Sequence, residues 1–349
     1  MALEDLEILW SVTFSDEIET QQREGDVMVV STEMGDLFGI DTDTGEELWT
    51  YSFLHDRVNY VIDEGVVFAR GGIEGIAEVE SLTAIHAETG ELLWQSPVDE
   101  ITQIKDPILF EDQVILWDKW EMYRYDKRIG IVVSRIDIDE LADIDFIELC
   151  ALYRGNLIGT SSGGTTFSID LKTKKVNWNI KTHIDFYRYP VEIYDQVIFY
   201  FMQTETPWPP GIGLIGGFDY DLRALDLVTG EGLWDFDKWR DYPTDFALPG
   251  KGVFQPKEQP IIVTMKSGKR YALNSKTGKM IDMPAIPLGM IGYDGVIYAA
   301  DEEGLSAYEA QSHKVMKTYR RFEGKLVGVD ERGFYWQDGN TINYAGVKK

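Results

Sequence analysis

Apolar and polar positions alternate along short stretches of the chain, and the clearest of these surrounds a tight turn. In residues 35–51, GDLFGIDTDTGEELWTY, the alternation has the period of two that is typical of a strand. The polar residues Asp41–Gly45 then reverse the chain, and Trp49 ends the return stretch. Gly45 suits a loop that needs one residue with positive φ, and the carboxylate of Asp41 can cap the turn. The pattern predicts a β-hairpin.

The same hairpin pattern recurs along the chain. Residues 83–94, 167–178 and 222–234 repeat both the turn and the closing tryptophan, with Lys174 in place of the glycine in the second of them. Residues 271–281 keep the turn without the tryptophan, and weaker copies lie at 123–126 and 305–308. Before each hairpin, a polar pair leads into a β-branched run, which predicts two further strands. Repeats of about 40–45 residues are typical of β-propellers.

The two ends of the chain complement each other. Residues 7–14 read as the last strand of a repeat, and residues 333–344 read as the middle of one. We expect the N-terminal strand to complete the final blade, which would close the ring and remove exposed edges. The outermost strands are expected near Trp10, Trp49, Trp94, Val132, Trp178, Trp234, Ile281 and Val315. The predicted fold is therefore all-β, a single eight-bladed β-propeller of four-stranded antiparallel blades over residues 1–349. Seven blades is the alternative, if residues 123–136 do not form a blade.

The repeat has the form Ala/Gly-Ile/Leu-Asp-x-x-Thr-Gly-x-x-x-Trp and is best kept at Gly39–Trp49 and Ala224–Trp234. It resembles the quinoprotein-type (PQQ-like) β-propeller repeat, which also occurs in quinone-dependent alcohol dehydrogenases and in the bacterial outer-membrane barrel-assembly lipoprotein. The resemblance covers nearly the whole chain and implies the fold. It says little about function, because one fold carries many unrelated functions.

Charge narrows the range of partners. The chain has 60 acidic and 33 basic residues, a formal net charge of -27. This charge disfavours nucleic acids and anionic membranes and favours a basic protein, although solubility alone also accounts for it. No apolar run reaches the length of a membrane-spanning helix, and residues 1–5 show no secretory signal, so we expect a cytoplasmic protein. The single cysteine, Cys150, excludes an intramolecular disulfide.

Catalysis has little support in the sequence. Many quinone-dependent dehydrogenases carry an adjacent cysteine pair, which a chain with one cysteine cannot form. The four histidines are scattered without the spacing of metal ligands. Asp41–Gly45 superficially resembles a calcium loop but lacks the later bidentate glutamate. We therefore expect a protein that is not an enzyme and uses no metal or cofactor.

The loops are the predicted binding elements. The longest, residues 204–218, places apolar side chains where polar ones are expected, which indicates either an anchor for a partner protein or a lid over its own blade or the central channel. Nearby loops predicted on the same face add aromatic, basic and acidic groups that suit the steering of a basic protein. The predicted partner-binding residues are Trp208, Ile212, Leu214, Ile215, Trp239, Arg240, Tyr242, Asp139, Glu140 and Asp143.

Together these features predict a non-enzymatic, protein-binding propeller that is a monomer when free. An immunity-type inhibitor of a basic protein is one form of this function. The alternatives are a quinone- or sugar-binding propeller enzyme and a scaffold subunit of a surface assembly.

Overall fold

The computed structural model describes most of the chain. The described residues are 6–53, 58–72, 80–98, 107–117, 121–137, 147–161, 164–181, 192–205, 218–236, 243–247, 260–267, 269–281, 290–293, 296–301, 304–309, 314–320, 324–330 and 333–347. Within these ranges there is no helix that is both long and apolar enough to cross a membrane.

The regular structure is made of short β-strands. The first sixteen are β1 (Leu6–Thr13), β2 (Ile18–Glu24), β3 (Val27–Thr32), β4 (Asp36–Asp41), β5 (Glu47–Ser52), β6 (Asn59–Asp63), β7 (Val66–Gly72), β8 (Glu80–His86), β9 (Leu92–Val98), β10 (Ile108–Phe110), β11 (Gln113–Trp117), β12 (Glu121–Asp126), β13 (Val132–Asp137), β14 (Ile147–Tyr153), β15 (Asn156–Ser161) and β16 (Thr165–Asp170). The others are β17 (Lys175–Lys181), β18 (Glu192–Tyr194), β19 (Val197–Glu205), β20 (Phe218–Asp226), β21 (Gly232–Phe236), β22 (Pro243–Ala247), β23 (Pro260–Met265), β24 (Arg270–Asn274), β25 (Met280–Ile281), β26 (Met290–Tyr293), β27 (Val296–Asp301), β28 (Gly304–Glu309), β29 (Val315–Arg320), β30 (Lys325–Val329), β31 (Gly333–Asp338) and β32 (Thr341–Val347).

The described strands form four-stranded sheets, as the repeat predicted. Seven of the eight sheets use four consecutive strands, from β2–β5 to β26–β29. The eighth joins β30, β31 and β32 to β1. The residues predicted to mark the outermost strands, from Trp10 to Val315, all lie in the last strand of their sheets. The weak repeat at 123–136 belongs to a full sheet, in which Tyr125 pairs with Val132.

The pairing of the N-terminal strand with the end of the chain is observed. β1 runs antiparallel to β32 from the pair Leu6 and Val347 to the pair Thr13 and Thr341. The backbone nitrogen of Phe14 extends the contact by donating a 2.9 Å hydrogen bond to the Asn340 carbonyl. A sheet of this chain is therefore built from strands separated by most of the sequence.

The described residues fall into two compact units. The first lies within Met1–Asp137, Tyr298–Ala307 and Val315–Lys349, and the second within Ile138–Ile297 and Tyr308–Lys314. In the first unit, apolar side chains of β2–β5 and β6–β9 share one core cluster. In the second, β18–β21 and β22–β25 share another. The assignment of all 349 residues to one domain stays a prediction.

Burial changes from the inner to the outer strands of a sheet. All six residues of β3 are buried, whereas β5 has one buried residue, Trp49. A strand covered on both faces takes mostly apolar side chains, which explains the run of valines and methionine at the start of β3. An outer strand is exposed along one side and therefore tolerates polar residues.

The closing tryptophan of a repeat bonds to the turn of the next sheet along the chain. Each indole Nε1–H donates to the backbone carbonyl of the second residue of that turn. The first residue of the turn is an aspartate or an asparagine, except for His86. The five bonds are Trp10 to Thr42 (3.1 Å), Trp49 to Ala87 (2.6 Å), Trp94 to Lys127 (2.8 Å), Trp178 to Leu227 (3.1 Å) and Trp234 to Ser275 (2.9 Å). The polar atom of each large ring is thus satisfied where the ring packs.

The turn glycine fits beneath this ring. Gly45, Gly90, Gly130, Gly230 and Gly278 all have positive φ, and a Cβ at any of them would lie 2.4–2.7 Å from an atom of the bonded tryptophan. Both backbone conformation and space therefore require glycine. One repeat has Ser134 at the tryptophan position, and the following repeat has Lys174 at the glycine position. In this pair of neighbouring repeats, the tryptophan and the glycine that would pack against it are both replaced.

Candidate functional site

The predicted partner-binding residues lie outside the described part of the chain. They are Trp208, Ile212, Leu214, Ile215, Trp239, Arg240, Tyr242, Asp139, Glu140 and Asp143. Their role as a binding surface stays a prediction.

In the turn that resembles a calcium loop, the aspartate side chain binds backbone amides of the same turn. Oδ1 of Asp41 accepts hydrogen bonds from the backbone nitrogens of Asp43 (2.9 Å) and Thr44 (2.8 Å). Asp170 and Asp226 bond in the same way to the residues two and three positions further on. The hydrogen bond from Thr173 N is the main reason that the pKa of Asp170 lies below its usual value. No group of His, Cys, Asp or Glu in the described ranges is arranged to hold a metal ion.

A polar cleft lies in the second unit, between sheets β14–β17 and β18–β21. It has a volume of about 420 Å³ and is lined by Tyr153, Arg154, Asn156, Ser168, Asn177, Gln196, Leu227 and Val228. Nδ2 of Asn177 donates to Oδ1 of Asn156 at 2.9 Å and to Oγ of Ser168 at 3.1 Å. These bonds fix the orientation of the amide on the wall of the cleft.

The chemistry of the cleft suits binding by neutral hydrogen bonds. Its lining holds amides, a hydroxyl and one cation, Arg154, whose guanidinium lies 5.3 Å from the centre of the Tyr153 ring. No lining residue is a carboxylate or a histidine, so the lining offers no acid–base pair. On the other face of sheet β18–β21, burial and then the charge of Asp195 raise the pKa of Tyr194 to about 12.

The sequence analysis missed Asn177, although the repeat carries a signal for it. The residue before the tryptophan position is apolar in the other repeats: Leu9, Leu48, Leu93, Val133, Leu233, Ile281 and Met316. Asn177 is the polar residue at this position of the repeat. A comparison of the repeats position by position, rather than of the motif alone, would have identified it.

A second polar cluster, in the first unit, centres on Asp330. Its Oδ2 accepts from Arg23 Nη1 (2.9 Å) and the Tyr335 hydroxyl (2.9 Å), and its Oδ1 accepts from the Tyr344 hydroxyl (3.1 Å) and Gly333 N (2.9 Å). Burial is the main cause of the raised pKa of Tyr335. Because Arg23 is in β2 and Tyr344 is in β32, the cluster joins the first and last sheets of the chain.

Comparison with protein families and solved structures identifies a matching family and several structures of similar architecture. A family profile described as outer membrane protein assembly factor BamB matches residues 2–133 and 34–179. The crystal structure of BamB from Moraxella catarrhalis is similar with a TM-score of 0.59 and 16% identity over 98% of both chains. The quinohemoprotein alcohol dehydrogenase ADHIIG from Pseudomonas putida HK5 is similar with a TM-score of 0.57 and 12% identity, over 98% of this chain and 76% of that one.

A third similar structure is the Pan2 WD40 domain of Neurospora crassa, with a TM-score of 0.54 and 11% identity over 100% of this chain and 97% of that domain. The sequence comparison with curated proteins finds no match. At these identities the structural likeness concerns the fold, which is that of the β-propellers.

Proposed function

The chain belongs to the family of PQQ-like repeat proteins described as outer membrane protein assembly factor BamB, and from this premise we propose that it is a non-enzymatic β-propeller that binds a basic protein. Propellers present loops and outer strands around a rigid scaffold, an arrangement suited to binding a protein surface. The proposal covers an immunity-type inhibitor, in which the bound basic protein is a toxin whose activity the chain blocks.

The excess of acidic residues carries this proposal. With 60 acidic against 33 basic side chains, the chain has a negative field that attracts positively charged proteins and speeds their encounter. The same field opposes the approach of nucleic acids and of anionic membranes. The partner proposed here is therefore a protein of high pI.

The proposed form of the molecule is a closed ring of eight blades. Eight four-stranded sheets among the described strands support the blade number, and the pairing of β1 with β32 supports closure by the N-terminal strand. A closed ring leaves no sheet incomplete where the chain begins and ends.

Affinity capture from the source cells, followed by measurement of binding to the purified partner, tests the function. We expect a basic protein whose association rate falls at least about tenfold as salt rises from low to physiological concentration. Neutralising Asp139, Glu140 and Asp143 on the predicted binding face should slow association. Neutralising the same number of carboxylates at or just before outer strands, at Glu46, Glu47 and Glu91, is the matched control. An acidic partner, or binding that does not respond to salt, would contradict the proposal.

The polar cleft favours a second candidate function, the binding of a sugar. Amides, a hydroxyl and the Tyr153 ring are groups that hold hydroxyl-rich ligands. Calorimetric titration with mono- and oligosaccharides tests it, with Asn177→Leu, the residue type of most other repeats, as the variant that should lose binding. Equal binding by the wild type and N177L would remove the cleft from consideration.

A further inference from the structure

The outer strands of the sheets share a charged residue at one position. It lies three residues before the tryptophan position, at the start of the exposed strand. Seven repeats carry Glu or Lys there: Glu7, Glu46, Glu91, Lys175, Glu231, Lys279 and Lys314. Charges on edge strands prevent them from pairing with strands of other chains. The repeat that contains β13 has Ile131 at this position.

Two more departures occur in the same repeat. Thr44, Thr89 and Thr229 each accept a hydrogen bond through Oγ1 from the backbone nitrogen two residues further on, at 3.2–3.3 Å. The corresponding residue before β13 is Ile129, which has no hydroxyl to make this bond. Ser134 replaces the tryptophan. This repeat therefore lacks the hydrogen bond within the turn, the charge at the sheet edge and the large aromatic ring.

The result is a longer exposed apolar edge. Ile129 and Ile131 are 57% and 55% exposed, and they extend the apolar pair Val132 and Val133, which is exposed in other repeats as well. β13 is the last strand of its sheet among the described strands, so every second residue along it directs its backbone N–H and C=O outward. Ile131 and the first two residues of the strand, Val132 and Val133, are β-branched, which favours strand pairing.

We propose that the outer edge of β13 is a docking site for an extended apolar segment of the partner protein, which adds to the sheet as a fifth strand. This inference rests on the proposed protein-binding function and specifies where and how the partner is held. Backbone hydrogen bonds to β13 supply the affinity, and apolar side chains alternating along the segment cover Ile131 and Val133.

Charge favours a basic residue in the occupant. At the far end of the edge, Asp137 pairs directly across the sheet with Glu121, whose carboxylate also accepts a hydrogen bond from the Tyr123 hydroxyl. An antiparallel partner strand would bring its N-terminal end to this pair, where a lysine or arginine is favoured. A second copy of this chain is disfavoured as the occupant, because two molecules of charge -27 repel each other.

A synthetic peptide of alternating valine and threonine with an N-terminal lysine is the probe. We expect saturable binding by fluorescence anisotropy and slower hydrogen exchange at the β13 amides. Two control peptides, one with N-methyl groups on alternate amides and one with glutamate in place of the lysine, should bind more weakly. The first lacks backbone donors, and the second repels Asp137.

Val133→Glu should weaken peptide binding by at least about tenfold, since a buried charge would face the added strand. Leu233→Glu is the matched control, because Leu233 holds the same repeat position on β21 with similar exposure, 41%. Ile131→Glu is a second variant with the same expected loss, and it restores the residue type that four other repeats carry.

Four results would overturn the inference. One is the absence of saturable peptide binding up to about 1 mM. The second is an equal loss in V133E and L233E. The third is a wild-type dimer in sedimentation that V133E dissociates, since this would identify a second copy as the occupant. Capture of a basic partner with equal affinity by wild type and V133E would leave the proposed function standing and remove only this docking site.

Discussion

The indole nitrogen of Trp49 donates a 2.6 Å hydrogen bond to the carbonyl oxygen of Ala87, 38 residues further along the chain. This bond joins the outer strand of one sheet to the turn of the next, and its equivalents recur wherever the repeat keeps its tryptophan. The repeat is therefore a unit of contact between neighbouring sheets as well as a unit of secondary structure.

Gly90→Ala tests the fit between this ring and the turn. The new Cβ would lie 2.5 Å from Trp49, and alanine would have to adopt a φ near +69°. We expect a loss of about 2–4 kcal/mol in the free energy of unfolding, measured by chemical denaturation. Gly65→Ala is the control, because Gly65 has φ +76° and nothing within 4 Å of the added Cβ. Equal losses in the two variants would mean that the ring imposes no constraint.

Lys174→Gly tests the converse. Lys174 has φ 54° in a turn where the other well-kept repeats have glycine. Relief of the left-handed conformation should exceed the entropic cost of glycine and raise the free energy of unfolding by about 0.5–1 kcal/mol. Lys175→Gly, one residue later in β17, should instead lower it. A destabilised K174G variant would show that the lysine side chain makes a compensating contact.

Asp330→Ala tests the cluster that joins the first and last sheets of the chain. The substitution leaves Arg23 and the hydroxyls of Tyr335 and Tyr344 without their shared acceptor. We expect a loss of about 3–5 kcal/mol in the free energy of unfolding. Lys276→Ala breaks the exposed pair of Lys276 with Asp195 and should cost about 0–1 kcal/mol. If D330A were as stable as K276A, the cluster would contribute no more to stability than a surface ion pair.

The turn at Asp170 should depend on pH. Its pKa is lower in the folded protein than in the unfolded chain, first because of the hydrogen bond from Thr173 N. The carboxylate therefore stabilises the turn above the unfolded pKa, and this contribution is lost as pH falls through the folded pKa. Hydrogen exchange at the Lys172 and Thr173 amides should accelerate, relative to the intrinsic rate, over that interval.

Asp170→Asn is the matched variant. Asn274 makes the same two bonds to Lys276 N (3.1 Å) and Thr277 N (3.0 Å), so an asparagine can hold the turn without a titrating group. In D170N the pH dependence should disappear while the turn persists. Persistence of the same acid transition would assign it to another group.

The hairpin turns could be predicted from the sequence because their causes are local. Gly45 needs positive φ, and Asp41 caps residues two and three positions away. The role of Trp49 could be predicted only as burial, since its hydrogen-bond partner lies 38 residues away in the next repeat. Four-stranded sheets and the pairing of β1 with β32 followed from completing the repeat.

Sequence patterns were less informative about the candidate sites. The predicted loop residues, such as Trp208, lie outside the described residues, and the polar cleft was not predicted. Asn177 and Ile131 fit their strands individually, and they become unusual only beside the same position of the other repeats. A site of this kind is found where one repeat differs from the others, because the residues that the repeats share serve packing.

The salt dependence of binding to the captured partner tests the central claim most directly. The account predicts a basic protein partner whose association rate falls at least about tenfold between low and physiological salt, with a further decrease when Asp139, Glu140 and Asp143 are neutralised. A partner of acidic pI, or an association rate that stays constant with salt, would contradict it.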